Sequence, residues 1–246
     1  MQFTHILRPF EKTMKFPVLF EDDTLLAIHK PSGIHVHPSE FSRGEESVLD
    51  VLQAEFPGAW FAPVHRIDRA TSGIVLYAKN PDAARALGEQ FIRREVHKKY
   101  WCVVRGYLSE SQTVTSGTME NDDYAETHYT SLEEVELPHS MGKHPTSRYS
   151  LLEARPVTGR RHQIRRHCSH ISHPIIGDVR YGDGRHNALW RKEFGLNRLL
   201  LFALEISFCH PTTSEVILLK TRIEREVEEV FGRLGWGEIQ SGRTLR

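Results

Sequence analysis

Two stretches of this chain carry residue types and spacings that could do chemistry. In Val64-His65-Arg66-Ile67-Asp68-Arg69-Ala70-Thr71-Ser72-Gly73, one carboxylate sits between two arginines, ahead of a small polar turn and the apolar run Ile74–Ala78. An aspartate is charged at neutral pH, and a charged loop anchored on a buried strand holds a reactive group rigidly. Such a carboxylate can act as nucleophile or base; the same residues also fit a surface aspartate in an ion-paired turn. The second stretch is Gly159-Arg160-Arg161-His162-Gln163-Ile164-Arg165-Arg166-His167. On a helix, Arg161 and Arg165 share a face, as do His162 and Arg166. Guanidinium forks suit phosphate oxygens or a carboxylate, although a solvated basic helix has the same composition.

The charge distribution favours a polyanionic partner more than the total does. The 246 residues have a formal net charge of zero. Residues 109–136 hold eight acids and no Lys or Arg, whereas residues 155–198 hold ten Lys/Arg against three acids. That basic segment is the kind of local field that attracts phosphates. His162, His167, His170, His173 and Cys168 invite a metal reading, but they lack HExxH or CxxC spacing and are surrounded by arginines, so no metal is expected. There is no phosphate-cradling Gly-rich loop, GxSxG or paired-carboxylate pattern. Three widely spaced cysteines fit free thiols in a reducing cytoplasm, and no apolar run reaches membrane-spanning length.

The elements that must position these residues follow from periodicity. Phe16–Phe20 and Leu25–His29 read as strands across an Asp22-Asp23 turn, and Lys30-Pro31-Ser32-Gly33 breaks the chain. Ser47 can cap a short helix to Phe56, and Asn80-Pro81 starts a second that runs to about Arg94. Strands are expected at Ile74–Ala78, Lys98–Val104, Arg148–Arg155, Leu199–Ala203 and Glu215–Leu219, with a final helix on Ile223, Val227 and Val230. Arg161–Ile171 reads as a basic helix with one side in solvent or against a polyanion. Residues 109–147 read as a surface hairpin or arm, and residues 1–13, which show no clear period, as an N-terminal extension open to disorder.

Taken together, the motifs resemble one family. His65–Gly73 looks like the HRLDxxTSG signature of the RluA-type pseudouridine synthases. Lys98-Lys99-Tyr100 is similar to its K-x-Y segment, and Gly159–His167 to its G-R-x-H-Q-[IL]-R-x-H element, followed by His173-Pro174-Ile175-Ile176-Gly177-Asp178 and Tyr181-Gly182. Lys30-Pro31-Ser32-Gly33 resembles the early KP-x-G motif. The likeness runs from about residue 16 to 236. Gly195–Leu199 and Phe231–Trp236 look most like the compact members that modify position 65 of tRNA. One departure is Leu201-Phe202-Ala203, where the family usually has LHA.

The resemblance implies a mixed α/β (α+β) fold: a bent, largely antiparallel mixed sheet with flanking helices and an RNA cleft. It implies one catalytic domain over residues 14–246, with no extra N-terminal RNA-binding domain. The implied activity is isomerisation of uridine to pseudouridine on a flipped-out base, in tRNA or, as the alternative, in ribosomal RNA; a silent RNA-binding protein is the remaining reading. By resemblance, Asp68 is the catalytic aspartate, Tyr100 meets the target base, and Arg165 pairs with Asp68. Arg66 would enter the stack left by the uridine, and Arg69, Lys98, Arg160, Arg161 and Arg166 would contact RNA. His65, Lys30 and His162 are supporting residues. The reaction breaks an N–C glycosidic bond, turns the base and rejoins it through carbon, so it calls for no redox change, group donor, cofactor or metal. The expected location is the cytoplasm, with no membrane partner.

Overall fold

The structure is a computed structural model that describes residues 14–38, 44–108, 111–117 and 123–236. The extension expected at residues 1–13 lies outside the described residues. In chain order come β1 (Val18–Glu21), β2 (Leu25–Lys30), α1 (Val48–Glu55), β3 (Ala62–Pro63), β4 (Ser72–Ala78) and α2 (Pro81–Ile92). Then follow β5 (His97–Arg105), β6 (Gln112–Ser116), β7 (Ala125–Leu137), β8 (Ser147–Pro156), α3 (Gln163–His170) and α4 (Gly184–Phe194). The last elements are β9 (Leu201–Cys209), β10 (Val216–Lys220) and α5 (Arg225–Arg233). The fold is thus mixed α/β with a large, mostly antiparallel sheet, as the resemblance implied. The chain divides into two compact units, one from residues up to Lys99 plus Ala203–Arg222, the other from Tyr100–Phe202 plus Ile223 onward.

In the first unit the strands lie in the order β1-β2-β4-β9, with β3 on β4 and β10 on β9. β4 is buried at every position, as its apolar run Ile74–Ala78 requires, with Ser72 buried at its start. It pairs antiparallel with β2 from Leu25↔Ala78 to Lys30↔Gly73. Leu25, Ala27, Ile74, Leu76, Leu87, Ile206 and Phe208 form the core beneath them, each of the Leu, Ile and Phe side chains contributing about 1.5–3 kcal/mol when fully buried. α2 starts as its sequence predicts: the Asn80 side chain accepts from Ala83 N at 2.8 Å and Pro81 occupies the first turn. α1 starts with a reciprocal cap between Ser47 and Asp50.

In the second unit the order is β5-β8-β7-β6, antiparallel throughout. The hairpin expected in 109–147 is β6–β7. β7 lies along β8 from Thr127↔Pro156 to Leu137↔Ser147, with a bulge between Ser131 and Glu133. It buries Thr127 and Tyr129, more of the core than its acidic composition suggests. α4 was not anticipated: Gly184, His186 and Asn187 are poor helix formers. The Asp183 side chain caps it by accepting from Arg185 N at 3.0 Å, Gly195 ends it at φ +71°, and burial of Leu189 and Trp190 holds it.

Candidate active site

Asp68 lies, half-buried, on the loop leading into β4. The loop takes this course because three parts of the Lys30–Gly33 turn grip it. The Lys30 ammonium, fully buried, donates to Pro31 O at 2.8 Å, Ile34 O at 2.9 Å and Arg69 O at 3.1 Å. A buried cation is tolerated only where such acceptors replace its water. Ser32 Oγ donates to Ala70 O at 2.8 Å, and Gly33 N, at φ +95°, donates to Arg69 O at 2.8 Å. Thr71 N closes the turn on Asp68 O at 3.0 Å. Gly73 follows at φ +122°, where an added Cβ would sit 2.1 Å from Ala203 O. Glycine alone fits there.

His65 packs behind this loop. Its Nε2 accepts from Leu76 N at 3.1 Å and its ring stacks on Phe91. Burial first, and Lys98 second, lower its pKa to about 3, so it is neutral at physiological pH and serves as a brace. Burial likewise brings the Lys98 amine down to about 8. Arg66 is exposed, and Arg69 forms an exposed ion pair with Glu45 at 3.0 Å.

Arg165 lies in the second unit, on α3, with its side chain almost wholly buried. Asp178 takes it in a two-pronged grip, Nε to Oδ2 at 2.7 Å and Nη2 to Oδ1 at 2.9 Å. Burial raises the Asp178 pKa, but Arg165 and the N–H groups of Tyr181 and Arg180 outweigh it and hold the carboxyl below its ordinary value. The Arg165 guanidinium also lies over the Tyr181 ring at 5.3 Å, whose hydroxyl meets His162 Nδ1 at 3.1 Å. Sequence reasoning did not assign Asp178 or Tyr181 to the site, although both stand in the motif that follows Arg165; the shared spacing was the available signal.

α3 departs from its sequence reading in two ways. It begins at Gln163, with His162 as the N-cap residue at φ +55°. Arg161 therefore precedes the helix and does not stack one turn above Arg165. The helix is also more buried than its polar sequence suggests, because hydrogen bonds replace apolar area. Gln163 accepts from Thr158 Oγ1 and Arg160 N, and donates to Glu126 O and Thr127 Oγ1. His167 is buried between Thr127 Oγ1 and Ser116 Oγ, and desolvation, then Arg166 and His170, lower its pKa to about 4. Arg160 Nε donates to Tyr124 O at 3.1 Å, while Arg161 and Arg166 are exposed.

Tyr100 is buried in β5, opposite Ala154. Phe202, standing where the family has histidine, is a core residue: Arg198 lies over its ring at 5.4 Å and Phe231 packs edge-on. Among the described residues no group of three or more His, Cys, Asp or Glu side chains is placed to hold a metal. No helix there is long and apolar enough to cross a membrane.

The first unit carries Asp68 on a braced loop with the exposed cations Arg66 and Arg69, and the second carries the carboxylate-held Arg165 with the exposed cations Arg161 and Arg166; each set suits an enzyme acting on a polyanion. Residues 24–170 match the RNA pseudouridylate synthase family. The chain belongs to that family and is an RNA pseudouridine synthase. It is 37% identical over 240 residues to the tRNA pseudouridine synthase C of Vibrio parahaemolyticus, covering 92% of this chain and 97% of that protein. It is also 37% identical to the tRNA pseudouridine synthase C of Haemophilus ducreyi, covering 91% and 97%. In fold it is similar to human RNA pseudouridylate synthase domain containing 4, with a TM-score of 0.68 at 23% identity, over 89% of this chain and 93% of that one.

Proposed function

We propose that this enzyme converts a uridine of tRNA to pseudouridine, with position 65 as the target. The observation that carries the reading is the near full-length likeness to two proteins named tRNA pseudouridine synthase C. The basic segment at residues 155–198 suits phosphate contacts, and such contacts offset the few kcal/mol needed to draw a stacked base out.

In the proposed mechanism Asp68 is the catalytic aspartate, acting at the ribose of the flipped nucleotide while the glycosidic bond breaks. Tyr100 lies against the detached uracil and retains it until C5 faces the sugar. Arg165, its plane set by Asp178, is the cation that pairs with Asp68. Arg66, exposed on the Asp68 loop, fills the place the base leaves. Arg69, Lys98, Arg160, Arg161 and Arg166 hold the backbone, while Lys30, His65 and His162 support the loops that carry these groups. All of this takes place in the cytoplasm, where tRNA is matured.

Mass spectrometry of tRNA from cells with and without the gene tests the substrate. Loss of pseudouridine at position 65 is expected, and loss confined to ribosomal RNA would overturn the tRNA assignment. Asp68→Asn should abolish product while the affinity for tRNA stays within about threefold, since phosphate contacts supply most of the binding. Product formed by Asp68→Asn would overturn the mechanism.

A further inference from the structure

Five cations gather at the far end of the second unit. Lys143 is exposed on the turn between β7 and β8, Arg185, Arg191 and Lys192 on α4, and Arg233 at the end of α5. These three segments touch. An added Cβ at Gly142 would lie 3.5 Å from Arg185 Nη1, His139 Nε2 lies 3.7 Å from Glu193 Oε2, and Arg233 Nη2 donates to Glu193 O at 3.4 Å. α4 is clamped to the sheet in turn: the Tyr149 ring packs edge-on against Trp190, and its hydroxyl meets His186 Nδ1 at 2.8 Å. The surface is preformed.

Its charge is not cancelled. Lys143 and Arg191 form no ion pair among the described residues. The acids on α4 are partly buried and already engaged, Asp183 by Arg105 at 2.7 Å and Arg185 at 3.7 Å, Glu193 by His139 and by Lys192 at 3.5 Å. Exposed Glu134 and Glu136 flank Val135, which pairs with Tyr149 on the α4 side of the sheet, so they point to the other side. Glu226 and Glu228 stand in the first turn of α5, away from Arg233 in its last. The helix dipole favours Arg191 and Lys192 in the last turn of α4 but opposes Arg185 in the first, so it does not account for the cluster.

The cluster is also remote from the base. On β8, seven residues separate Ala154, opposite Tyr100, from Ser147, where the turn begins. At about 3.4 Å per residue this is roughly 24 Å, too far for the phosphates flanking a uridine held at Tyr100. A polyanion that meets both must run on well past the target. We propose that this surface binds tRNA phosphates remote from the target uridine, and so separates a folded tRNA from a short stem-loop carrying the same uridine. This rests on tRNA as the substrate and on Tyr100 as the residue against the base.

A protein carrying Lys143→Gln, Arg185→Gln and Lys192→Gln together tests this, beside wild type and a charge-keeping variant with Lys143→Arg, Arg185→Lys and Lys192→Arg. Affinity and single-turnover conversion are measured on full-length tRNA and on the short stem-loop, with the melting temperature of each protein. The glutamine variant should bind tRNA about 10- to 50-fold more weakly at fixed salt, and the slope of log affinity against log salt should fall by about 2–3, the scale for three phosphate contacts. Its rate at saturating tRNA, and its binding and conversion of the stem-loop, should stay within about twofold of wild type, since none of these draws on remote phosphates. The charge-keeping variant should bind tRNA as wild type does. A glutamine variant within about twofold of wild type in tRNA affinity overturns the proposal. So does an equal loss on the stem-loop, a loss shared by the charge-keeping variant, or one that follows a lowered melting temperature. A wild type that forms no pseudouridine in tRNA overturns the substrate reading, and this proposal with it.

Discussion

Replacing Asp178 with asparagine should cost the protein a large share of its stability. The carboxylate is buried and accepts four bonds: two from Arg165, at 2.7 and 2.9 Å, and one each from Arg180 N and Tyr181 N, at 2.9 and 3.0 Å. Asparagine can keep one oxygen on the backbone donors but turns an N–H₂ group toward Arg165 Nε, setting donor against donor. The guanidinium then loses its two-pronged carboxylate grip, and removing one partner of a buried pair costs about 3–5 kcal/mol out of a total of roughly 5–15 kcal/mol. Urea denaturation at pH 7 should show the midpoint lowered by about 2 M, taking a slope of about 2 kcal/mol per M. The pH dependence gives a second readout. A folded-state pKa held below the ordinary 3.8 contributes stability above that value and loses it as pH falls through the folded value. The gap between wild type and Asp178→Asn should therefore shrink below about pH 4. Arg165→Met with Asp178→Leu should recover most of the stability, because an apolar pair can replace a buried ion pair, while turnover stays lost. A loss below about 1 kcal/mol at pH 7, or a gap undiminished in acid, would refute the reasoning.

Gly73→Ala forces a Cβ to within 2.1 Å of a backbone oxygen at φ +122°; soluble yield should collapse, or the melting temperature fall by about 10 °C or more. Gly88→Ala, in the interior of α2 with nothing within 4 Å of the new methyl, should instead stabilise by about 0.5–1 kcal/mol, read as a rise of a few degrees by calorimetry. Because burial brings the Lys98 amine down to about 8, the phosphate contact proposed for it should fade as pH rises from 7 to 9. Filter binding at fixed salt should show tRNA affinity falling over that range, and Lys98→Arg should remove the fall.

The sequence was most legible where one local rule decides the structure. β4 carries the unbroken apolar run Ile74–Ala78, and α2 is announced by Asn80-Pro81. The Asp68 loop could be found because its motif is contiguous. What it touches could not, because the Lys30 grip depends on three carbonyls that any residue type could supply. α3 was placed two residues early: nothing in its composition signals that His162 turns left-handed before the helix begins. α4 escaped notice because its cap and buried tryptophan outweigh a run of weak helix formers. The architecture as a whole came from the resemblance, which periodicity could not have replaced.

The polar seating of α3 determines how far that helix can move. A helix resting on leucines can roll about its own axis by small angles, since dispersion contacts change little with azimuth. α3 is fastened through Gln163 and His167 to fixed partners on three neighbouring segments. Hydrogen bonds weaken steeply once misaligned, so rolling would strain several at once. Its azimuth is locked, and the direction in which Arg165 leaves the helix is locked with it.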